Sequence, residues 1–226
     1  ALRDATLVSL VPTMMAREQD ERPSPASLRC ALIGGGPVPR DLMTRAAEAG
    51  LPLAQTYGLT EASSQVTTSD IGDPATAGPP LFCTRVEIAP DGEILVRGPT
   101  VSPDAGAPLR TGDLGALDDQ GRLTVTGRAA DTIVTGGENV APAEVEAVLE
   151  AHPAVAEAAV LGRADAEWGE AVTALVVMAP GKNADTDDLR SHCRANLAGF
   201  KVPKRIETVT TLPRTPSGKL RRSALS

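Results

Sequence analysis

The sequence predicts an α/β region, with a parallel sheet and a small β-barrel, followed by an α+β module. Three observations carry this. Strand, helix and strand alternate over the first part of the chain, to about residue 70. Short β runs then pair around Asp91-Gly92 and again around Gln120-Gly121, as far as about residue 127. Beyond Arg128 strands and helices mix in a self-contained order. The expected domains are therefore 1–128 and 129–226, with the boundary near residues 128–131.

The elements follow in order. "ATLVSLVP" suits a short helix or a strand with its turn, and "SLRCALIGG" a buried strand ending in glycines. "PRDLMTRAAEAG" is a helix closed by Gly50 at the C-cap. "LPLAQTYG" is the second strand of a βαβ unit. "TRVEIAPDGEILVRGP" and "LGALDDQGRLTVTGR" are the two hairpins. "DTIVTGGENVAP" is a strand, a glycine turn and a short strand. "PAEVEAVLEAH" is a helix with Pro142 at its start and Glu144 and Glu146 in its first turn, where the macrodipole favours acids. Two β runs, "VAEAAVLG" and "EAVTALVVM", the helix "DTDDLRSHCRANLA" and the strand "PKRIETVTTLP" complete the module.

Composition excludes several classes. The 226 residues carry a formal net charge of −7, which argues against nucleic-acid binding. No apolar run approaches the ~20 residues of a membrane helix. Aromatic residues are only 2%, so the core is built from Ala, Val, Leu and Ile. Cys30, Cys83 and Cys193 are widely spaced and form no C-x-x-C pair, which reads as buried free thiols in a reducing cytoplasm. The start, "ALRDATLVSLVP", has no initiator Met and no signal-peptide pattern, and reads as the middle of a longer chain.

Five stretches could carry chemistry. In "IGGGPVP", Gly34, Gly35 and Gly36 would let a ligand lie on backbone, or form a tight strand-to-helix turn. Pro39 breaks the dinucleotide pattern. "QTYGLTEASSQ" places Tyr57, Gly58, Thr60, Glu61, Ser64 and Gln65 after a strand. An aromatic face, a hydroxyl and a carboxylate there suit a purine, a phosphate and Mg²⁺; the bland reading is a helix N-capped by Thr60. "RTGDLG" puts Asp113 on a glycine turn, able to accept two ribose hydroxyls or to close an Asx turn. "TGRAADTIVTGGENV" supplies Arg128, Gly136 and Gly137, otherwise a linker arginine and a hairpin. In "PRTPSGK", Lys219 follows the tight turn Pro216-Ser217-Gly218 and would stand at a loop tip. His152, His192 and Trp168 read as structural. Phosphate-loop, H-E-x-x-H and G-x-S-x-G patterns are missing.

In this order, "YGLTE", "GEILVRGP", "RTGD", "GRAADTIVTGGENVAPAEVE" and "PRTPSGK" resemble the adenylate-forming superfamily of acyl- and aryl-CoA ligases over nearly the whole chain. "LIGGGPVPRDLMTRAAEAGLPLAQTYGLTEASSQVTT" is most similar to the 2-succinylbenzoate–CoA ligases of menaquinone biosynthesis. The resemblance implies the later part of a large adenylation domain, then a small mobile C-terminal domain. It implies acyl-adenylate formation from Mg-ATP and a carboxylic acid, then thioester formation with CoA.

It also implies roles. Lys219 is the adenylation lysine. Tyr57 stacks on adenine, with Gly34 and Gly35 lining the nucleotide pocket; Thr60 meets phosphate and Glu61 holds Mg²⁺. Asp113 binds the ribose and Arg128 reaches ribose or phosphate. Gly36, Gly58, Ser64 and Gln65 face the acid. Gly136 and Gly137 line the pantetheine tunnel, and Ala130 with Asp131 forms the hinge, Ala130 standing where the family usually has Asp or Lys. The family's Ser/Thr/Gly-rich phosphate loop has no counterpart here, so this chain alone is expected to be inactive and to expose apolar surface suited to a homodimer. The alternatives are another acyl- or aryl-CoA synthetase, a carrier-protein-loading enzyme, or a truncated protein that binds nucleotide or a partner without turnover. No redox cofactor, nucleic acid or membrane span is expected.

Overall fold

The computed structural model describes residues 5–12, 14–15, 26–36, 38, 40–215 and 220–225. Pro39, the 216–218 turn and Lys219 lie outside the described residues. The chain forms two compact units, Ala1–Ala129 and Ala130–Ser226.

Among its described residues the first unit holds two sheets. Strands β1 (Leu7–Leu10), β2 (Cys30–Ile33) and β3 (Leu53–Leu59) run parallel in that order, and β4 (Ser64–Thr68) folds back antiparallel on β3. Helix α1 (Arg40–Glu48) buries Leu42, Met43 and Ala46 in a core with Ala31, Ile33, Leu53 and Met15. Gly50, at φ +70°, ends the helix: its N–H donates to Ala47 O at 3.0 Å, and that of Leu51 to Ala46 O at 2.9 Å. This paired closure needs the left-handed conformation that glycine adopts freely.

The second sheet is an antiparallel meander of β5 (Arg85–Ile88), β6 (Glu93–Arg97), β7 (Leu109–Leu117) and β8 (Leu123–Arg128). Its turns form at the two glycine signals, with Gly92 at φ +84° and Gly121 at φ +73°. Val86, Ile94, Val96, Leu109 and Leu123 pack with Ala62 and Val66, joining the meander to the β3–β4 hairpin.

Among the described residues the second unit is one mixed sheet with two α-helices. β9 (Ile133–Thr135) and β10 (Glu138–Val140) form a short hairpin, and β11 (Val155–Asp165) and β12 (Gly169–Met178) a long one. β13 (Arg205–Thr208) lies parallel to β12. Strand alternation explains the unbroken apolar runs, because both faces are covered. Ala158, Val160, Val172, Ala174 and Val176 meet α2 (Pro142–Glu150) and α3 (Thr186–Asn196) through Val145, Leu149, Leu189 and Cys193. Ala159 and Leu175 point the other way and are capped by Leu212 and Leu225. Asp185 caps α3 by accepting from the Asp187 and Asp188 N–H groups at 3.0 and 2.8 Å.

Two sequence expectations are corrected here. Glu144 is the only acid in the first turn of α2; Glu146 lies beyond that turn and is 8% exposed, because it pairs with Arg222. Of the three free cysteines only Cys193 is buried; Cys30 is half-buried and Cys83 exposed, in a left-handed backbone conformation at φ +67°. Among the described residues no helix is long and apolar enough to cross a membrane.

Candidate functional site

The β3–β4 hairpin concentrates most of the first unit's candidate residues. Tyr57 and Gly58 stand near the end of β3, Thr60 and Glu61 in the 3₁₀ turn Thr60–Ala62, and Ser64 and Gln65 at the start of β4. Thr60 is not an N-cap: the capping position is Leu59, which makes no side-chain cap bond. Gly58 lies opposite Gln65 next to a register shift. A Cβ on Gly58 would stand 1.6 Å from Ser64 O, so no other residue fits this approach. The return is tight enough to hold Ser63 at φ +55° and Ser64 at φ +97°. At non-glycine positions this is backbone strain of the kind that clusters at functional sites.

Asp113 does not sit on an isolated turn, nor does it close an Asx turn. It lies within β7 opposite Arg128 of β8. Its N–H donates to Thr111 Oγ1 at 3.1 Å, and Thr111 Oγ1 donates to Ile94 O at 2.8 Å. Glu93, 8% exposed, accepts the Gly112 N–H at 2.8 Å and pairs with Arg110, so the bend before Asp113 is held from β6. Asp113 itself is 6% exposed. Arg128 Nε reaches its Oδ1 at 2.8 Å, and the Tyr57 hydroxyl donates to its Oδ2 at 2.8 Å. Burial first, and then the charge of Asp113, push the Tyr57 hydroxyl above the ordinary tyrosine range, so it stays a donor.

The fold thus brings Tyr57, Asp113 and Arg128, taken from three strands of two sheets, into one cluster. Gly34 approaches the same region: a Cβ there would lie 2.7 Å from both Cγ2 and O of Thr56, the neighbour of Tyr57. Gly35, at φ +79°, turns the chain towards α1, and Gly36 borders open space. Glu61 is exposed, and its carboxylate makes no hydrogen bond or ion pair among the described residues. One free carboxylate suits Mg²⁺, which keeps several waters and takes further oxygens from phosphates. Among the described residues no group of three metal-ligating side chains exists.

The second unit presents Gly136 and Gly137 as the central pair of the β9–β10 turn, at φ +58° and +85°, as a mirror-type hairpin turn requires. A Cβ on Gly136 would meet the Trp168 ring at 2.9 Å; one on Gly137 would meet nothing within 4 Å. Lys204 Nζ lies 3.6 Å from the centre of that indole. Ala130 and Asp131 open the unit, within the 3₁₀ turn Ala129–Asp131.

Sequence reasoning missed Thr111 and Glu93, which shape the Asp113 bend, and Arg222, which binds Asp131 and Glu146. Only the pairing of β7 with β8, which carries a register shift between Leu114 and Gly115, puts Asp113 opposite Arg128, and neither strand alternates regularly enough to signal it.

Known proteins resemble this chain in sequence and in fold. A model of the AMP-binding enzyme family matches residues 3–104, and a model of the AMP-binding enzyme C-terminal domain matches residues 144–219. The 2-succinylbenzoate–CoA ligase of Geobacillus kaustophilus (strain HTA426) is 42% identical over 250 aligned positions, covering 98% of this chain and 51% of that protein. The o-succinylbenzoate CoA synthetase (MenE) from Bacillus subtilis, in complex with the acyl-adenylate intermediate OSB-AMP, superimposes with a TM-score of 0.89 at 39% identity. That match covers 99% of this chain and 51% of the other. The same synthetase in complex with ATP and magnesium ion gives 0.86 at 39% identity, covering 98% and 51%. The chain spans about half the length of the curated relatives it matches.

Proposed function

Because the chain belongs to the adenylate-forming AMP-binding enzymes, we propose that it is the later half of an ATP-dependent carboxylic acid–CoA ligase acting on 2-succinylbenzoate. On this reading, Ala1–Ala129 is the later part of the large adenylation domain, and Ala130–Ser226 is the small domain that turns between the two half-reactions. The observation that carries it is the shared carboxylate of Asp113. An ionised carboxylate offers about four lone-pair sites. Tyr57 and Arg128 take one oxygen each, which leaves acceptor capacity for two ribose hydroxyls.

In the first step a carboxylate oxygen of the acid attacks the α-phosphorus of Mg-ATP, and the bond to the β-phosphate breaks to release pyrophosphate. Tyr57 offers its ring face to adenine while its hydroxyl fixes Asp113. Gly34 and Gly35 would let the nucleotide approach backbone, Thr60 would meet phosphate, and Glu61 would hold Mg²⁺. Lys219 places an ammonium between the attacking carboxylate and the α-phosphate, where negative charge shifts. Gly36, Gly58, Ser64 and Gln65 contact the acid. In the second step the CoA thiol attacks the acyl carbon, its proton leaves, and AMP departs. Gly136 and Gly137 line the path of pantetheine, and Ala130 with Asp131 is the pivot. We place the ligase in the cytoplasm, and the exposed Leu7, Ile71 and Phe82 support a homodimer.

The test is pyrophosphate release by the full-length ligase across a panel of carboxylic acids, followed by thioester formation with CoA or with a phosphopantetheine-bearing carrier protein. Release with 2-succinylbenzoate and transfer to CoA is the expected result. Preference for another acid removes the substrate assignment, and transfer only to the carrier protein removes the CoA assignment. Lys219→Ala should slow adenylation by about 10²-fold or more and spare thioester formation from supplied acyl-adenylate.

A further inference from the structure

Asp113 stands on a break in the ladder between β6 and β7. Leu95 pairs with Arg110 and Glu93 with Leu114, so Thr111, Gly112 and Asp113 together face the single residue Ile94. Such a bulge leaves backbone groups without ladder partners and re-aims the side chain it carries. Two side chains take the place of the missing ladder bonds. Glu93 Oε1 accepts the Gly112 N–H at 2.8 Å. Thr111 Oγ1 accepts the Asp113 N–H at 3.1 Å and donates to Ile94 O at 2.8 Å. Gly112 is at φ +70°, and a Cβ there would meet nothing within 4 Å, so this position demands a backbone conformation and not room.

The Glu93 side chain is only 11% exposed, against 57% for Arg110 and 62% for Asp91. Its Oε2 pairs with Arg110, which also reaches Asp91 Oδ2 at 2.9 Å. An ion pair with so exposed a partner adds little stability. The bond into the bulge has a different consequence. It fixes the backbone one residue before Asp113. A rotation there would swing the carboxylate away from the Tyr57 hydroxyl and Arg128 Nε, which hold its two oxygens, each at 2.8 Å.

We propose that Glu93 is a positioning residue for nucleotide recognition: through the Gly112 N–H it sets the bulge that aims the Asp113 carboxylate, and so decides how strongly a ribose is preferred to a sugar without hydroxyls. Glu93 acts only through Asp113 and touches no ligand. The inference rests on the reading of Asp113 as the ribose acceptor.

Calorimetric titration of the full-length protein with AMP and with 2′,3′-dideoxy-AMP tests this. Two hydroxyls donating to a carboxylate should give wild type a preference of about 10²-fold for AMP. In Glu93→Ala the preference should fall to about tenfold or less, while affinity for dideoxy-AMP stays within about twofold of wild type. A residue that merely holds the sheet together would weaken both ligands alike and leave the preference intact, and that result overturns the proposal. Two gentler variants decide the matter even where Glu93→Ala does not fold. Glu93→Gln keeps an oxygen for the Gly112 N–H, because Arg110 can turn to Asp91, and should retain most of the preference. Glu93→Asp keeps the charge, but its shorter arm does not reach Gly112, so it should lose the preference as Glu93→Ala does. An ion-pair role with Arg110 would give the opposite order, and that order also overturns the proposal. Asp113→Ala serves as the control. A preference that survives it, or none in wild type, removes the ribose reading and the role of Glu93 with it. A preference lost in Asp113→Ala but kept in every Glu93 variant overturns the role of Glu93 alone.

Discussion

The hydroxyl of Tyr57 and the carboxylate of Asp113 meet at 2.8 Å, although the residues are 56 positions apart and belong to different sheets. The bond makes Tyr57 a two-ended residue. Its ring is an apolar platform and its hydroxyl fixes the rotamer of an acid that Arg128 holds from the other side.

Tyr57→Phe separates the two ends. The platform stays and one charge-assisted bond is lost, so AMP affinity of the full-length protein should fall about tenfold, the scale of a hydrogen bond to a charged group. Tyr57→Ala should fall further, because stacking contributes ~1–3 kcal/mol per base. Calorimetric titration with AMP compares the three. Equal affinity of wild type and Tyr57→Phe would show that Arg128 alone suffices to hold Asp113.

The Gly-Gly turn of the second unit gives a prediction that separates the half-reactions. A leucine at Gly137 points into open space but must adopt φ +85°, a strain of ~1–2 kcal/mol that the hairpin can absorb. Adenylation by Gly137→Leu should proceed at the normal rate, and thioester formation should fail. Normal thioester formation from supplied acyl-adenylate would move the pantetheine path elsewhere.

Much of the fold was legible because its signals are local. Gly50, Gly92 and Gly121 each punctuate the chain where a left-handed residue is required. The site was legible only in pieces. Asp113 reads as a turn residue from its neighbours, and only strand register puts it opposite Arg128. Glu146 reads as a dipole-favoured acid because Pro142 marks the helix start, but its partner Arg222 is 76 positions away. Cys83 reads as a small buried hydrophobe, yet its turn holds it in solvent. For Asp113 and Glu146 long-range pairing, which no local pattern encodes, overrode the local preference.

Glu150 links stability to pH. Burial first, then Glu146 and Glu157, raise its carboxyl from 4.5 to about 7, against the opposing Ala158 N–H and Arg214. A folded-state value above the unfolded one means that the native protein keeps a proton the unfolded chain has released. Its contribution is therefore full below about pH 4.5 and is lost as pH rises towards about 7, by at most on the order of 3 kcal/mol. Glu150→Gln preserves an acceptor for the Ala158 N–H, 3.1 Å away in the native protein. Urea unfolding at pH 5 and pH 8 should show the variant gaining on wild type at the higher pH. A constant difference between the two proteins would mean that Glu150 titrates normally.

The narrowest requirement in the first unit is at Gly58. Its missing side chain lets β3 and β4 close over the register shift that turns Ser64 and Gln65 beside Tyr57. A methyl group would sit 1.6 Å from Ser64 O and 2.8 Å from Gln65 Cα, both backbone atoms that no rotamer change can move aside. Gly58→Ala must therefore open the hairpin, and overpacking of this kind costs ~1–3 kcal/mol or more. The β3–β4 bonds nearest the turn should be lost first, while the Tyr57–Thr67 and Thr56–Thr68 pairs beyond the shift hold. Hydrogen exchange should then rise at residues 58–65 and remain slow in β2. Binding of the acid should weaken more than binding of AMP, because Ser64 and Gln65 move while Asp113 and Arg128 stay paired on the second sheet. Equal loss of both ligands would place the acid contacts outside this hairpin.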